Sequence, residues 1–77
     1  MKGRRFLTIK VNGEAREVEE GATLHSLVEA LGLAPERLAV ELNLEVVRRA
    51  DWPARRLHEG DSVEIVHFVG GGRGADG

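Results

Sequence analysis

The chain begins with an alternation of apolar and polar residues that predicts a β-hairpin. The apolar face of the first predicted strand carries Leu7, Ile9 and Val11. Asn12 and Gly13 follow, and both suit a type I′ turn, whose two central residues need positive φ. We therefore expect residues 14–18 to form the return strand. Only the pairing of Val18 with Leu7 is apolar on both sides, so we assign the return strand to a sheet edge.

The next segment has the apolar period of a helix. The apolar stripe consists of Leu24, Leu27, Val28 and Leu31. Thr23 precedes the stripe and is a good N-cap, because its hydroxyl can accept a hydrogen bond from a free N–H of the first turn. Gly32 follows as a C′ residue in the left-handed conformation, and Leu33 can supply the accompanying hydrophobic contact. We expect one main helix with a cap at each end.

The remaining apolar segments predict three short strands. They cover residues 38–42, 45–48 and 63–69. Asn43 and Leu44 lie where the first two of these strands need a tight turn. A branched Leu resists positive φ, so either this turn is not type I′ or it accepts strain. Residues 51–54 break the pattern and predict a single turn of helix.

Together these elements predict an α+β fold with one main helix packed on one face of a mixed sheet of four or five strands. The opposite face is then uncovered. If the first and last strands are neighbours, Phe6, Val66 and Phe68 form an exposed apolar patch on it. Contiguous exposed apolar patches often mark partner surfaces. We interpret this patch as a docking surface, since it leads directly to the end of the chain.

Composition narrows the classes of function. A chain of 77 residues makes one small domain. The absence of cysteine excludes disulfides, zinc thiolates and thiol nucleophiles, and it fits the cytoplasm, where we expect this protein. A net charge of −2, with two Phe and one Trp, argues against a nucleic-acid surface. No apolar stretch is long enough to span a membrane.

Candidate chemical groups are dispersed. His25, His58 and His67 have no partners at metal-ligand spacing, and no set of acids and bases predicts an enzyme. We interpret Glu59 and Asp61 as solvated charges in a turn. A basic cluster around Trp52 either docks an acidic partner or only aids solubility, and it consists of Arg48, Arg49, Arg55 and Arg56. The G-x-G-x-x-G match at residues 72–77 has no helix after it, so we regard it as chance.

The last predicted strand runs straight into Gly70, Gly71 and Gly72. Glycines without side chains can thread a narrow channel, and these three span roughly 10 Å when extended. A carboxylate at such an end can be activated in another protein's active site. We therefore divide the chain into a folded domain, residues 1–69, and a flexible glycine-rich tail, residues 70–77.

Several segments resemble the ThiS family, the sulfur carriers of thiamine biosynthesis within the ubiquitin-like β-grasp superfamily. The segments that carry the resemblance are residues 11–14, 21–24, 40–43, 45–48 and above all 59–72. The resemblance implies a β-grasp fold and a carrier that is not itself an enzyme. It also implies that Gly72 bears the reactive carboxyl group, with Gly71 before it. The partner contacts would come from Phe6, Val66, Phe68, Val69 and Gly70.

The resemblance further implies a set of partners. A ThiF-like adenylyltransferase would use ATP and magnesium to convert the terminal carboxylate to an acyl-adenylate, and the carrier itself would bind no cofactor or metal. A cysteine desulfurase would be the ultimate source of sulfur for a thiocarboxylate. Thiazole synthase, ThiG, would then receive the sulfur. Neither nucleic acid nor a membrane is an expected partner.

Two features depart from the family pattern. The second hairpin has Asn43-Leu44 where Asn-Gly is common, and Gly72 is followed by Arg73–Gly77 although its carboxylate must be free. We hypothesise that a protease removes residues 73–77; the alternative is direct use of Gly77. Two other functions stay open from sequence: a carrier of the molybdopterin-synthase small-subunit type, and a β-grasp interaction module with an inert tail.

Overall fold

The structure, a computed structural model, describes residues 3–68 and shows a five-stranded mixed sheet with one α-helix on one face. The elements in chain order are β1 (Phe6–Val11), β2 (Glu14–Glu19), α1 (Leu24–Ala30), a 3₁₀ helix (Pro35–Arg37), β3 (Leu38–Leu42), β4 (Glu45–Val47), a second 3₁₀ helix (Arg49–Ala54) and β5 (Ser62–His67). The predicted α+β class is confirmed, as is the short helix that contains residues 51–54.

The last strand lies in the middle of the sheet. The strand order is β2-β1-β5-β3-β4, and β5 runs parallel to β1 and antiparallel to β3. Strand β2 lies at an edge, as its mostly polar sequence predicts. Because β5 pairs on both sides, it joins the two hairpins of the chain into one sheet.

The first hairpin has the predicted turn and register. Asn12 and Gly13 have φ values of 51° and 84°. The cross-strand partners are Val11 with Glu14, Ile9 with Arg16 and Leu7 with Val18. The turn chemistry alone was sufficient to set this register, because a two-residue loop leaves no freedom to slip.

Both predicted caps of α1 are confirmed. The Thr23 hydroxyl accepts a hydrogen bond from the Ser26 N–H (3.1 Å), and the Ser26 hydroxyl oxygen accepts one from the Thr23 N–H (2.8 Å). This reciprocal pair is a capping box. At the other end Gly32 has φ 71°, and the Leu33 N–H donates to the Val28 carbonyl (3.3 Å). The helix therefore ends in a Schellman motif.

The core lies between α1 and the sheet and extends under the second 3₁₀ helix. Its buried members are Ile9, Leu24, Leu27, Val28, Leu38, Val40, Leu42, Val47, Trp52, Leu57, Val63 and Ile65. The sequence interpretation did not place Trp52 in this core. Its indole N–H donates to the Val47 carbonyl (3.0 Å), so the ring is buried with its polar group satisfied.

Two carboxylates of the turn before β5 have structural roles. A Glu59 carboxylate oxygen accepts a hydrogen bond from the Thr8 N–H (2.9 Å). Asp61 accepts from the His58 N–H (2.7 Å) and from the Asn43 side-chain amide (3.0 Å). For Asp61 the interpretation as a solvated charge is wrong, because its side chain is only 13% exposed and satisfies a backbone donor of the turn. Glu59 is exposed, as interpreted, and in addition satisfies a backbone donor of β1.

The second hairpin accepts strain at Leu44. Asn43 and Leu44 have φ values of 52° and 72°, and the Leu44 side chain extends into solvent, 89% exposed. A left-handed conformation places a Cβ too close to the following carbonyl oxygen. The side chain gains no packing in return, so the turn tolerates Leu44 at a cost in stability.

Replacing Leu44 with glycine should stabilise the protein by about 0.5–1 kcal/mol, because glycine adopts this φ without the steric penalty. Urea denaturation measures the change as a higher midpoint with an unchanged m value. Leu44→Ala is the matched control; it removes the side chain but keeps the Cβ, and its stability should stay close to that of the parent. A glycine variant no more stable than the alanine variant would contradict this account of the turn.

Candidate partner-binding site

The candidate site lies on the outer face of the sheet, which we define as the face opposite α1. Along β5 the side chains alternate as predicted: Val63 and Ile65 are buried, whereas Val66 and the following Phe68 are 56% and 58% exposed. Both exposed residues lie at the end of the strand that leads to the glycines. The outer face at this end therefore presents apolar surface immediately before the tail sequence.

The structure corrects the predicted membership of this patch. Strands β1 and β5 are neighbours, but they are parallel, and Lys10 is the partner of Ser62. Phe6 lies four residues before Lys10, and Val66 lies four residues after Ser62. At the rise of a β-strand this offset places Phe6 roughly 26 Å from Val66 along the sheet. The prediction that Phe6 joins Val66 and Phe68 in one patch is wrong.

The actual neighbours of Val66 and Phe68 come from the second hairpin. Ala39 of β3 is the direct partner of Val66. Val46 of β4 is 68% exposed and lies diagonally across from Ala39, within the reach of cross-strand contacts. We define the outer patch as Ala39, Val46, Val66 and Phe68. The sequence signal for Val46 was its alternation with Val47, which points into the core.

Two carboxylates lie beside the outer patch. Glu41 of β3 is the direct partner of Glu64 of β5, and Val46 is the partner of Glu41 on the other side. Within residues 3–68 the ion pairs of the structure include neither Glu41 nor Glu64. Like charges directly opposite one another destabilise a sheet. The outer patch thus borders a site of negative charge that a cationic partner group would relieve.

Two turn asparagines hold β5 from opposite edges, a role that the sequence interpretation missed. The Asn12 side-chain oxygen accepts a hydrogen bond from the Ile65 N–H (2.7 Å), and its amide donates to the Ile65 carbonyl (3.3 Å). The Asn43 side-chain oxygen accepts from the Ser62 N–H (2.9 Å). The sequence interpretation recognised Asn12 and Asn43 only as turn residues, because these bonds span 53 and 19 residues.

The histidines lie apart from one another. His25 contacts Glu29 on α1 (3.4 Å), and His58 lies 3.9 Å from Asp61 in the turn before β5. In the part of the chain that the structure describes, no three His, Asp or Glu side chains are placed to hold a metal ion. That same part contains no helix long and apolar enough to cross a bilayer.

The predicted basic cluster is divided among different neighbours. Arg55 pairs with Glu45 of β4 (3.5 Å), with both side chains partly exposed. Arg48 and Arg49 line a shallow groove with His25 and Glu36. Arg56 forms an isolated bridge through its backbone with Thr23. Of these arginines, Arg55 is thus engaged by a carboxylate of the chain itself, whereas Arg48 and Arg49 lie together at the groove.

The remaining predicted site residues lie outside the described part of the chain. They are Val69, Gly70, Gly71 and Gly72, together with Arg73–Gly77. Their roles, and the boundary between residues 69 and 70, stay predictions. The structure establishes what precedes them: a central strand with an apolar outer face at its last described residues.

A five-stranded mixed sheet with this order, with one helix across its inner face, defines a ubiquitin-like β-grasp domain. The solved structure of the thiamine biosynthesis protein ThiS from Geobacter metallireducens has this fold, with a TM-score of 0.75 and 38% identity over 86% of this chain and all of the other. The model of the ThiS family matches residues 9–72. The chain belongs to the ThiS family.

The chain is similar both to a relative of its own size and to a segment of a much longer relative. The sulfur carrier protein ThiS of Thermus thermophilus is 40% identical over 62 residues, which cover 80% of this chain and 95% of the relative. A thiazole synthase of Magnetococcus marinus is 48% identical over 67 residues, or 87% of this chain. The chain spans only 21% of the length of that synthase, so the similarity covers one segment of a larger protein.

Replacing Glu64 with glutamine should stabilise the isolated protein by about 0.2–1 kcal/mol, because it removes the repulsion from Glu41 without changing the shape of the side chain. The gain should shrink as salt rises, since both groups are near solvent. The free energy of unfolding from urea denaturation, at low and at high salt, measures both effects.

Glu17→Gln is the matched control for this exchange. Glu17 lies on the outer face of β2, and its direct cross-strand partner is the uncharged Thr8. The control should change stability less than Glu64→Gln at low salt. Equal effects of the two substitutions would show that the pairing of Glu41 with Glu64 has no energetic consequence.

Proposed function

We propose that this chain is a sulfur carrier for the thiazole ring of thiamine, with Gly72 as its reactive end after removal of residues 73–77. The observation that carries the proposal is the family match, which runs from Ile9 in the core to Gly72 at the end of the glycine run. The fold supports it by placing the strand that precedes these glycines at the centre of the sheet.

The proposed chemistry takes place at a carboxyl group that is inert by itself. A carboxylate oxygen of Gly72 attacks the α-phosphorus of ATP in the activating enzyme, and pyrophosphate leaves. The product is an acyl-adenylate. A cysteine desulfurase removes sulfur from cysteine as an enzyme persulfide, and a thiol reductant supplies the two electrons that convert this sulfur to the sulfide level. The sulfide bonds to the acyl carbon, and AMP leaves with one of the two original carboxylate oxygens. The result is a thiocarboxylate, formed with no net oxidation or reduction at the carrier.

The contribution of this chain is to present its reactive glycine end to the active sites of partner enzymes. We assign no catalytic step to its side chains; ATP and magnesium belong to the ThiF-like adenylyltransferase. The outer patch lies just before the tail sequence, so an enzyme that docks on Val66 and Phe68 is in position to receive Gly72 in its active site. Burial of exposed apolar area supplies the binding energy, and the adjacent Glu41 and Glu64 select a partner with basic side chains.

Thiazole synthase is the proposed acceptor of the sulfur. The support is the Magnetococcus marinus protein, a thiazole synthase in which about one fifth of the chain resembles this one. A carrier-like segment joined to a synthase in one polypeptide indicates that the two act together there. We propose the same encounter for this chain, through the outer patch and the glycine end.

The direct test is enzymatic loading of a chain that ends at Gly72. Incubated with the host's ThiF-like adenylyltransferase, ATP, magnesium, cysteine, cysteine desulfurase and a thiol reductant, it should exchange one oxygen for one sulfur, as read by intact mass spectrometry. The control is the chain that ends at Gly77, which should remain unchanged because Gly72 is then an internal peptide residue.

Three outcomes would change the proposal. Equal loading of both chains would assign the chemistry to Gly77 and remove the need for a protease. Failure of the Gly72-ended chain to react with any activating enzyme of the host would favour an interaction module with an inert tail. If the loaded chain bound the large subunit of molybdopterin synthase and not thiazole synthase, it would be a sulfur carrier for molybdopterin and not for thiamine.

Replacing Phe68 with glutamate should weaken binding to the activating enzyme at least about tenfold, because truncating or charging a central apolar contact removes more than 1 kcal/mol of binding free energy. Folding should be preserved, since the side chain is more than half exposed. Isothermal titration calorimetry with the adenylyltransferase measures the affinity, and urea denaturation measures the stability.

Phe6→Glu is the matched control, because Phe6 is equally exposed at 56% but lies at the opposite end of the outer face. It should bind like the parent chain. Loss of affinity in both variants would mean that the partner covers the whole outer face, and loss in neither would rule out the outer patch as the docking surface.

A further inference from the structure

Strand β5 continues past the point where its parallel neighbour ends. Lys10 and Val11 of β1 are the partners of Ser62 and Val63. The Asn12 N–H then donates to the Val63 carbonyl (2.8 Å), and β1 turns away into its hairpin. Strand β5 runs on to His67. Its edge on this side would be open from Ile65 onward if the backbone of β1 were its only partner.

The Asn12 side chain extends the ladder by one position. Its oxygen accepts from the Ile65 N–H (2.7 Å), and its amide nitrogen donates to the Ile65 carbonyl (3.3 Å). A side-chain amide offers one acceptor and donors in the plane of the group, as a peptide unit does. Asn12 thus takes the place of the strand residue that β1 no longer supplies.

Ile65 is the last residue of β5 to be held on this edge within residues 3–68. The hydrogen bonds from Asn43 N–H to the Ser62 carbonyl (2.8 Å) and from Phe68 N–H to the Arg37 carbonyl (2.9 Å) show that even-numbered residues of this segment face β3. Odd-numbered residues face β1, so His67 is the next one on that edge. Neither β1 nor its turn bonds to the His67 backbone.

We propose that Asn12 is a positioning residue: it fixes the last point at which β5 is held on its β1 edge, and thereby the direction in which the reactive glycine end leaves the sheet. The inference rests on the proposed function, since Gly72 follows Ile65 by seven residues. Without this anchor the segment beyond Val63 has more conformational freedom, and the activating enzyme must order it on binding.

The second hairpin provides a matched control at the other end of the same strand. Asn43 has φ 52°, against 51° for Asn12, and its side-chain oxygen likewise accepts a backbone N–H of β5. That N–H belongs to Ser62, at the start of the strand, remote from the glycines. Glycine at either position keeps the positive φ of the turn and removes only the side chain.

The experiment compares Asn12→Gly and Asn43→Gly in the Gly72-ended chain, under conditions where both are folded. Amide hydrogen exchange measures the protection of Ile65 relative to Val63. ATP–pyrophosphate exchange measures kcat/KM for adenylation. Asn12→Gly should lose the extra protection of Ile65 and lower kcat/KM by about threefold to tenfold, because both hydrogen bonds to the Ile65 backbone are lost and the net contribution of such bonds is modest. Asn43→Gly should keep the parental protection of Ile65 and the parental kcat/KM, even if its free energy of unfolding falls as much as that of Asn12→Gly.

The outcomes separate the positioning role from the proposed function. The positioning role would be overturned if Ile65 in Asn12→Gly were as well protected from exchange as in the parent chain. It would also be overturned if that protection were lost while kcat/KM stayed at the parental value. If the parent chain itself is not adenylated, the proposed function fails, and Ile65 exchange alone decides whether Asn12 anchors β5. If Asn12→Gly does not fold, Asn12→Asp replaces it. Aspartate keeps the acceptor but loses the donor to the Ile65 carbonyl, so intermediate losses are expected.

Discussion

The pairing of β5 on both of its edges is the interaction on which the rest of the structure depends. This strand comes last in the chain but lies in the middle of the sheet, between β1 and β3. Val63 and Ile65 fix its inner face in the core. Its start and its end are each held by a side chain from a hairpin turn, Asn43 and Asn12. The last strand of the domain is therefore held in place by the middle of the sheet.

This arrangement suits a carrier. A glycine segment attached to a frayed edge strand would meet its partner from many directions. One that follows a central strand starts from a defined position, so less conformational entropy is lost when an enzyme binds it. The chain needs no pocket and no catalytic side chain for this task. It needs a rigid point of attachment and a surface beside it, and we propose that the outer patch is that surface.

The outer side of the molecule also carries features that stability alone would not favour. Glu41 faces Glu64, Val46 and Phe68 are exposed, and Leu44 adopts a strained φ without any packing. Most of these lie on the second hairpin or on β5, next to the outer patch. The exposed apolar side chains and the facing carboxylates among them are the features that the proposed docking surface uses.

Local patterns were sufficient to predict the first hairpin with its register, both helix caps, β3 and the edge position of β2. These features depend on turn chemistry and on the periods of short segments. The misplaced Phe6 and the missed contacts of Asn12 have a different origin. Both depend on how β1 lies against β5, fifty residues later, and neither periodicity nor composition specifies the register of a parallel pair. Trp52 was missed because its indole partner, the Val47 carbonyl, cannot be read from the side-chain pattern.

The central claim is that Gly72 is the reactive end of a sulfur carrier, and the intact mass of the protein isolated from its native host tests it most directly. The account predicts a species that ends at Gly72 in cells that are making thiamine, with a fraction in which sulfur replaces one oxygen of the terminal carboxylate. Finding only the chain that continues to Gly77, without sulfur, in such cells would contradict it.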